Sequence, residues 1–199
     1  MYKFLNSLFW NLFLRASGAS LGKNVKIWGK LNIRCRDNAT LRNLIIEDGV
    51  RIEGTLYIRL RRSGKIILGE NARVATHVWL VSANEAELRL GKNCIIGSYC
   101  ILNGGHGINI GDFSWLAGFI YMNSSDHSIK KGILIQKQGY VGAPIVIGRD
   151  NWIGGHVFVC KGINTGEGVV IGAGSVVTKN FGDNLVIVGN PARVLRERG

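Results

Sequence analysis

Four histidines, His77, His106, His127 and His156, are the residues of this chain best suited to proton chemistry. An imidazole, with a reference pKa of ~6.5, can take up and return a proton near neutral pH. His127 ends the polar run Asn123-Ser124-Ser125-Asp126-His127, an environment that a packed structural histidine does not require. His106 stands in the glycine-rich excursion Asn103-Gly104-Gly105-His106-Gly107 and is its rival. His156 falls inside a regular repeat and reads as a groove or surface residue, whereas His77 has no supporting context. No His/Cys spacing matches a zinc site, so no metal is expected. Cys35, Cys94, Cys100 and Cys160 form no C-x-x-C pair and stand in apolar surroundings, which predicts reduced core thiols.

Such side chains need a scaffold, and the scaffold is written as a repeat. An inward residue recurs every six positions at Ile147, Ile153, Val159, Thr165, Ile171 and Val177, and glycine follows at 148, 154, 166 and 172. The same beat runs through Leu68, Val74 and Leu80, then Leu90, Ile96 and Leu102, then Ile110, Leu116 and Met122. A fainter version runs through Leu21, Ile27, Ile33, Ala39 and Ile45. A period of six fits neither a helix nor one alternating strand. It fits short strands joined by corners, three to a coil, as in parallel β-helices. The 28 glycines against 2 prolines supply those corners. Thr165 replaces the usual aliphatic and is expected to loosen its coil.

The beat slips between Leu80 and Leu90 and between Leu102 and Ile110, with a larger interruption from Ser124 to Pro144. Slips of this kind mark loops leaving a solenoid, often on its binding face. The expected organisation is a segment at 1–17 and a β-helix domain at 18–199 with an insertion at 124–144. Terminal coils need capping, which the first segment and the stretch Val194–Arg198 can supply. Apolar residues at 5, 8, 9, 12 and 13 follow a helical period. A cap helix packing on the first coil is the favoured reading, an interfacial helix at a membrane the other.

Lys and Arg number 25 against 13 Asp and Glu, a formal charge of +12, which favours anionic partners. The charge is spread, with short clusters at Arg59-Arg61-Arg62 and Lys130-Lys131, and no nucleic-acid-binding motif accompanies it. Nucleic acid is not an expected partner. The first segment is too short and interrupted to span a bilayer, and a cytoplasmic protein, peripheral at most on the inner face of the membrane, is expected.

Four stretches carry a family resemblance: Ile110-Gly111-Asp112 leading to Asp126-His127-Ser128-Ile129; Ala143-Pro144-Ile145-Val146-Ile147-Gly148; Asn151-Trp152-Ile153-Gly154; and Ile171-Gly172-Ala173-Gly174-Ser175-Val176-Val177-Thr178-Lys179 followed by Gly189-Asn190-Pro191-Ala192-Arg193-Val194. With them the chain resembles the hexapeptide-repeat acetyltransferases, in the branch of galactoside, maltose and surface-polysaccharide O-acetyltransferases. The resemblance implies a left-handed coil, a homotrimer, and active sites in the grooves between subunits. It also implies transfer from acetyl-CoA to a sugar hydroxyl. His127 matches the catalytic histidine, with Asp126 as its orienting partner and Asn103 positioning the acceptor. Trp152, Gly154, Gly155, Ala173, Gly174, Thr178, Lys179 and Arg193 match positions that hold the coenzyme. The net charge and the apolar first segment favour a surface polysaccharide, acidic or lipid-linked, as acceptor. Transfer to an amino sugar or small amine, and a non-catalytic scaffold, are the competing readings; the fold alone does not decide between them.

Overall fold

The computed structural model describes residues 2–199. It shows a left-handed parallel β-helix of seven coils behind one helix, α1 (Tyr2–Ala16). Each coil gives one short strand to each of three parallel sheets. Sheet I runs from Ser20–Leu21 to Asn164–Thr165, and sheet III from Leu31–Arg36 to Val176–Val177. Sheet II runs from Lys26–Ile27 to Val170–Ile171 and continues through Leu185–Val188.

The six-residue beat becomes three internal columns. Sheet I stacks Ile46, Leu68, Leu90, Ile110, Ile147 and Thr165. Sheet II stacks Ile27, Ile52, Val74, Ile96, Leu116, Ile153, Ile171 and Ile187. Sheet III stacks Ile58, Leu80, Leu102, Met122, Val159 and Val177. All are buried, each hidden by the coil above and below it. The glycine after the inward residue answers a close approach: a Cβ on Gly111 would lie 2.5 Å from the carbonyl carbon of Gly148.

The faint N-terminal beat needs correcting. Ile46, not Ile45, enters the sheet I column, and Ala39 lies in a connection. The short 3-10 turn Leu41–Asn43 inserts residues between the first two coils and shifts the phase. Thr165 does not behave as expected either. It is 1% exposed and sits in a satisfied polar network: its hydroxyl donates to Asn151 Oδ1 (3.4 Å), Asn151 Nδ2 to Gly166 O (2.9 Å), and the backbone N–H of Asn151 to Ser114 Oγ (3.2 Å). Buried polar groups with partners tighten a core, so this coil is pinned.

The cap helix also reverses its expected orientation. Asn6, Ser7, Trp10, Asn11 and Leu14 turn toward the coil, and the apolar stripe turns outward. The first coil presents backbone groups with no strand beneath them, and such groups require partners. Asn6 Nδ2 donates to Ile27 O (3.1 Å) and Gly29 O (2.9 Å), Asn11 Nδ2 to Val25 O (3.1 Å), and the N–H of Ile27 to Ser7 Oγ (3.1 Å). A purely apolar face would have left these groups unsatisfied.

The helix packs chiefly on the first strands of sheets I and II, and the far end of the first strand of sheet III, Arg34 to Arg36, is exposed. Cys35, on that strand, is therefore exposed and is not a core thiol. Cys160 is half-buried, while Cys94 and Cys100 are fully buried, and burial pushes both thiols up to about 11. At the other end Arg193–Glu197 folds back antiparallel along Leu185–Val188.

Every long excursion leaves the prism at one edge, the corner between sheets III and I: residues 37–43, 62–64, 83–86, 105–107 and 124–144. Ile147 and Thr165 stand 18 positions apart, three hexapeptides, so the last full coil carries no insertion. The loops are thereby stacked along a single edge.

Candidate functional site

The interruption at 124–144 is a hairpin of Ser125–His127 and Tyr140–Gly142. His127 pairs with Tyr140, their ring centroids 4.4 Å apart. A groove of about 570 Å³ bordered by His127, Asp126, Ile129, Val141 and Lys161 lies on one side of the hairpin. On the other side a groove of about 480 Å³ is lined by Tyr140, Ser125, Asn103 and His106, and by Arg61 and Arg62 further along. His127 is exposed.

The hairpin is held at its base. Asn103 Nδ2 donates to Asn123 Oδ1 (2.9 Å), and Asn123 Nδ2 to Ser125 O (2.6 Å). Ser124 is fully buried; its hydroxyl donates to Asn103 O (3.0 Å) and accepts the N–H of His106 (2.9 Å). Asp126 has a partner other than the expected one: Lys161 Nζ lies 2.6 Å from its Oδ2. Strand alternation turns Asp126 away from the neighbouring imidazole. It ties the hairpin to the following coil, a contact of the exposed kind worth ~0–1 kcal/mol.

His106 lies under the hairpin. A Cβ on Gly142 would fall 2.1 Å from the imidazole Cγ, so the strand crosses the ring at a distance only glycine permits. Replacing Gly142 by alanine must push hairpin and ring apart. A displacement of about 1 Å costs up to ~100-fold in rate, and overpacking costs ~1–3 kcal/mol in stability. We expect kcat to fall about ten- to a hundredfold, and His106→Ala combined with Gly142→Ala to recover most of it. Steady-state kinetics on the two variants check this, and parental kcat in the single variant would refute it.

The predicted coenzyme residues occupy other parts of the prism. Trp152 points outward from sheet II, 53% exposed, beside Trp115 in register. Gly154, Gly155, Ala173 and Gly174 form the corner between sheets II and III. A Cβ on Gly174 would meet nothing within 4 Å, and one on Gly155 only Gly118 O at 3.4 Å, so this corner is a bare backbone ledge. Thr178 and Lys179 follow the last strand of sheet III, and Arg193 begins the C-terminal strand; all three are exposed. Neither Lys179 nor Arg193 is ion-paired among the described residues. A bare ledge flanked by an exposed indole and free cations fits an extended, phosphate-bearing thioester carrier.

Within one chain, therefore, Asn103 supports the base of the hairpin that carries His127, while the ledge lies on a different edge with sheet III between. Tyr140, Asn123, Lys161 and Gly142 were not singled out in the sequence. Their contacts cross a long loop or a phase slip, and only the glycines at 139 and 142 hint that a strand returns there. No group of His, Cys, Asp or Glu among the described residues is placed to share a metal ion.

Comparison with known proteins agrees with this architecture. The family described as "Hexapeptide repeat of succinyl-transferase" matches residues 87–118 and 144–179. The galactoside O-acetyltransferase of Escherichia coli K12 is 32% identical over 130 residues, 65% of this chain and 63% of that protein. The crystal structure of a maltose O-acetyltransferase from Clostridium difficile 630 is 30% identical, with a TM-score of 0.55, over 95% of this chain and 74% of that one. The polySia-specific acetyltransferase NeuO superposes with a TM-score of 0.70 at 24% identity, covering 90% of this chain and 75% of that one, and shares the fold. The chain spans 40% to 63% of the length of the curated relatives it matches. A matching repeat, a maltose O-acetyltransferase relative aligned over most of both chains, and the same coil place this chain in the hexapeptide-repeat acetyltransferase family.

Proposed function

We propose that this protein is an acetyl-CoA-dependent O-acetyltransferase acting on a sugar hydroxyl of a cell-surface polysaccharide or its precursor. The observation that carries the reading is an exposed imidazole on a hairpin, bordering one groove and paired with Tyr140, which lines a second groove together with Asn103. Relatives named for galactoside and maltose favour a hydroxyl acceptor over an amine. Acetyl-CoA, when bound, supplies the acyl group as a thioester. His127 takes the proton of the sugar hydroxyl as its oxygen bonds to the acetyl carbon and the carbon–sulfur bond breaks; the proton then passes to the leaving thiolate. Asn103, held by Asn123, donates to the acceptor. Gly154, Gly155, Ala173 and Gly174 give backbone contact to the pantetheine arm, Trp152 packs beside its thioester end, and Thr178, Lys179 and Arg193 meet the nucleotide phosphates.

The separation of His127 from the ledge supports a site shared between copies, completed in a homotrimer. Ile95, Trp115, Trp152 and Val170 form an outward apolar row on sheet II, the kind of patch a neighbouring copy covers. Peripheral attachment to the cytoplasmic membrane surface through α1 belongs to the same reading. No helix among the described residues is long and apolar enough to cross a membrane. The test is thiol release from acetyl-CoA against maltose, a galactoside and polymeric or lipid-linked glycans. Faster turnover with the polymer or its precursor is expected. Equal rates with free sugars would refute the polysaccharide assignment, and no sugar-dependent release the whole reading.

A further inference from the structure

The outer face of sheet III carries a row of side chains of which the transfer step uses only the asparagines at one end. Its register runs Arg34, Arg59, Val81, Asn103, Asn123, with arginines at one end and the acceptor-side asparagines at the other. Beside it Arg36 faces Arg61, and Arg62 follows at the corner. Arg61 and Arg62 line the groove that ends on Asn103, Ser125 and Tyr140. With strands ~4.8 Å apart, Arg59 stands two coils, ~10 Å, from Asn103, and Arg34 three coils, ~14 Å. That is further than one hexose ring reaches.

Like charges directly opposite on neighbouring strands destabilise a sheet. Here two arginine pairs do so, and among the described residues Asp37 is the one carboxylate ion-paired with any of the five (Arg61 Nε to Asp37 Oδ2, 3.0 Å). Arg59 is also held in place. Its guanidinium carbon lies 4.7 Å from the Trp79 ring centroid, and its Nη1 donates to Asn32 O at 2.9 Å. Burial and the charges of Arg34 and Arg36 pull its guanidinium below the ordinary value, a strain that an incoming anion relieves.

We propose that this arginine column is an acceptor subsite for a carboxylated glycan chain, whose charged sugars lie on Arg34, Arg36, Arg59, Arg61 and Arg62 while a hydroxyl further along reaches His127. The inference rests on the O-acetyltransferase reading and names its substrate class. Guanidinium forks match planar carboxylates. Charge spread over successive coils suits a polymer, whereas a nucleotide diphosphate concentrates its charge within about one coil.

The test is equilibrium binding of oligogalacturonate, neutral dextran oligosaccharide and UDP-glucose at low and physiological salt. The variants are Arg36→Gln/Arg59→Gln and, as a control of equal charge, Arg51→Gln/Arg73→Gln on sheet II. Oligogalacturonate is expected to bind best and to weaken at least about tenfold in the first double variant, with less than about a twofold change in the control. Equal losses in both variants would reduce the effect to net charge and overturn the subsite. Preference for UDP-glucose, or binding no tighter than dextran, would also overturn it. Binding is read without turnover, so intact binding without acetyl transfer would refute the catalytic reading and leave the subsite standing.

Discussion

If His127 is the general base we propose, His127→Ala is expected to lower kcat by about 10² to 10⁴, the usual contribution of a positioned general base, and to leave the KM for acetyl-CoA within about twofold. The size of the loss follows from what else surrounds the acceptor. Asp126 is held by Lys161 at 2.6 Å and turned the other way. The imidazole of His106 lies beneath the backbone of Gly142, its Nδ1 buried without a partner, and the residue's backbone N–H donates to Ser124 Oγ. Neither can replace the lost base without moving the hairpin. Because His127 is exposed, its removal leaves no buried cavity, and the melting temperature should stay within a degree or two of the parent. Single-turnover rates with His127→Ala and His106→Ala side by side decide the assignment. A kcat within about threefold of the parent for His127→Ala would remove it from the chemistry. A large loss in His106→Ala alone, with the fold intact, would transfer the role.

What could be read from the chain before its structure follows from how local each feature is. The columns were legible because a buried aliphatic every six residues is a pattern within one strand of text, and Leu68, Leu90, Ile110 and Ile147 stack as that pattern requires. Thr165 broke the pattern locally, but its compensation lies in Ser114 and Asn151, on other turns of the solenoid. The polar loop ending in His127 was visible as composition. Its pairing with Tyr140 was not, since a strand returning across the loop leaves no periodic trace. The coenzyme role of the ledge was inferred through family resemblance rather than physics, and the fold puts the ledge on another edge from His127, so under the proposed reading its use depends on a second copy. Period alone also misled at α1: residues 5, 8, 9, 12 and 13 form a face, but which side of a helix is buried depends on what it packs against.

That misreading leads to the second large effect. An amphipathic helix ordinarily buries its apolar face, and α1 does the reverse. Phe4, Leu5, Leu8, Phe9, Leu12 and Phe13 are all exposed, while the polar Asn6, Ser7 and Asn11 serve the coil edge. Leaving such a stripe in water is unfavourable by ~1.5–3 kcal/mol for each large side chain, so the face calls for a cover. A second copy would bring like charges together: α1 has no acidic residue, carries Lys3 and Arg15, and lies beside exposed Lys23, Lys26 and Lys30. An anionic bilayer surface matches both properties, giving an apolar layer for the rings and phosphates worth ~1 kcal/mol for each nearby cation. The parent should therefore co-sediment with phosphatidylserine-containing vesicles and much less with pure phosphatidylcholine. Phe4→Ser/Phe9→Ser/Phe13→Ser removes about 3–4 kcal/mol of partly immersed apolar surface, which weakens vesicle binding by about two to three orders of magnitude. Its thermal stability and acetyl transfer to soluble acceptors should be retained, because these rings face away from the coils. Undiminished sedimentation of the triple variant would sink the idea, and so would a parent that ignores anionic vesicles or a triple variant that merely dissociates from a larger assembly.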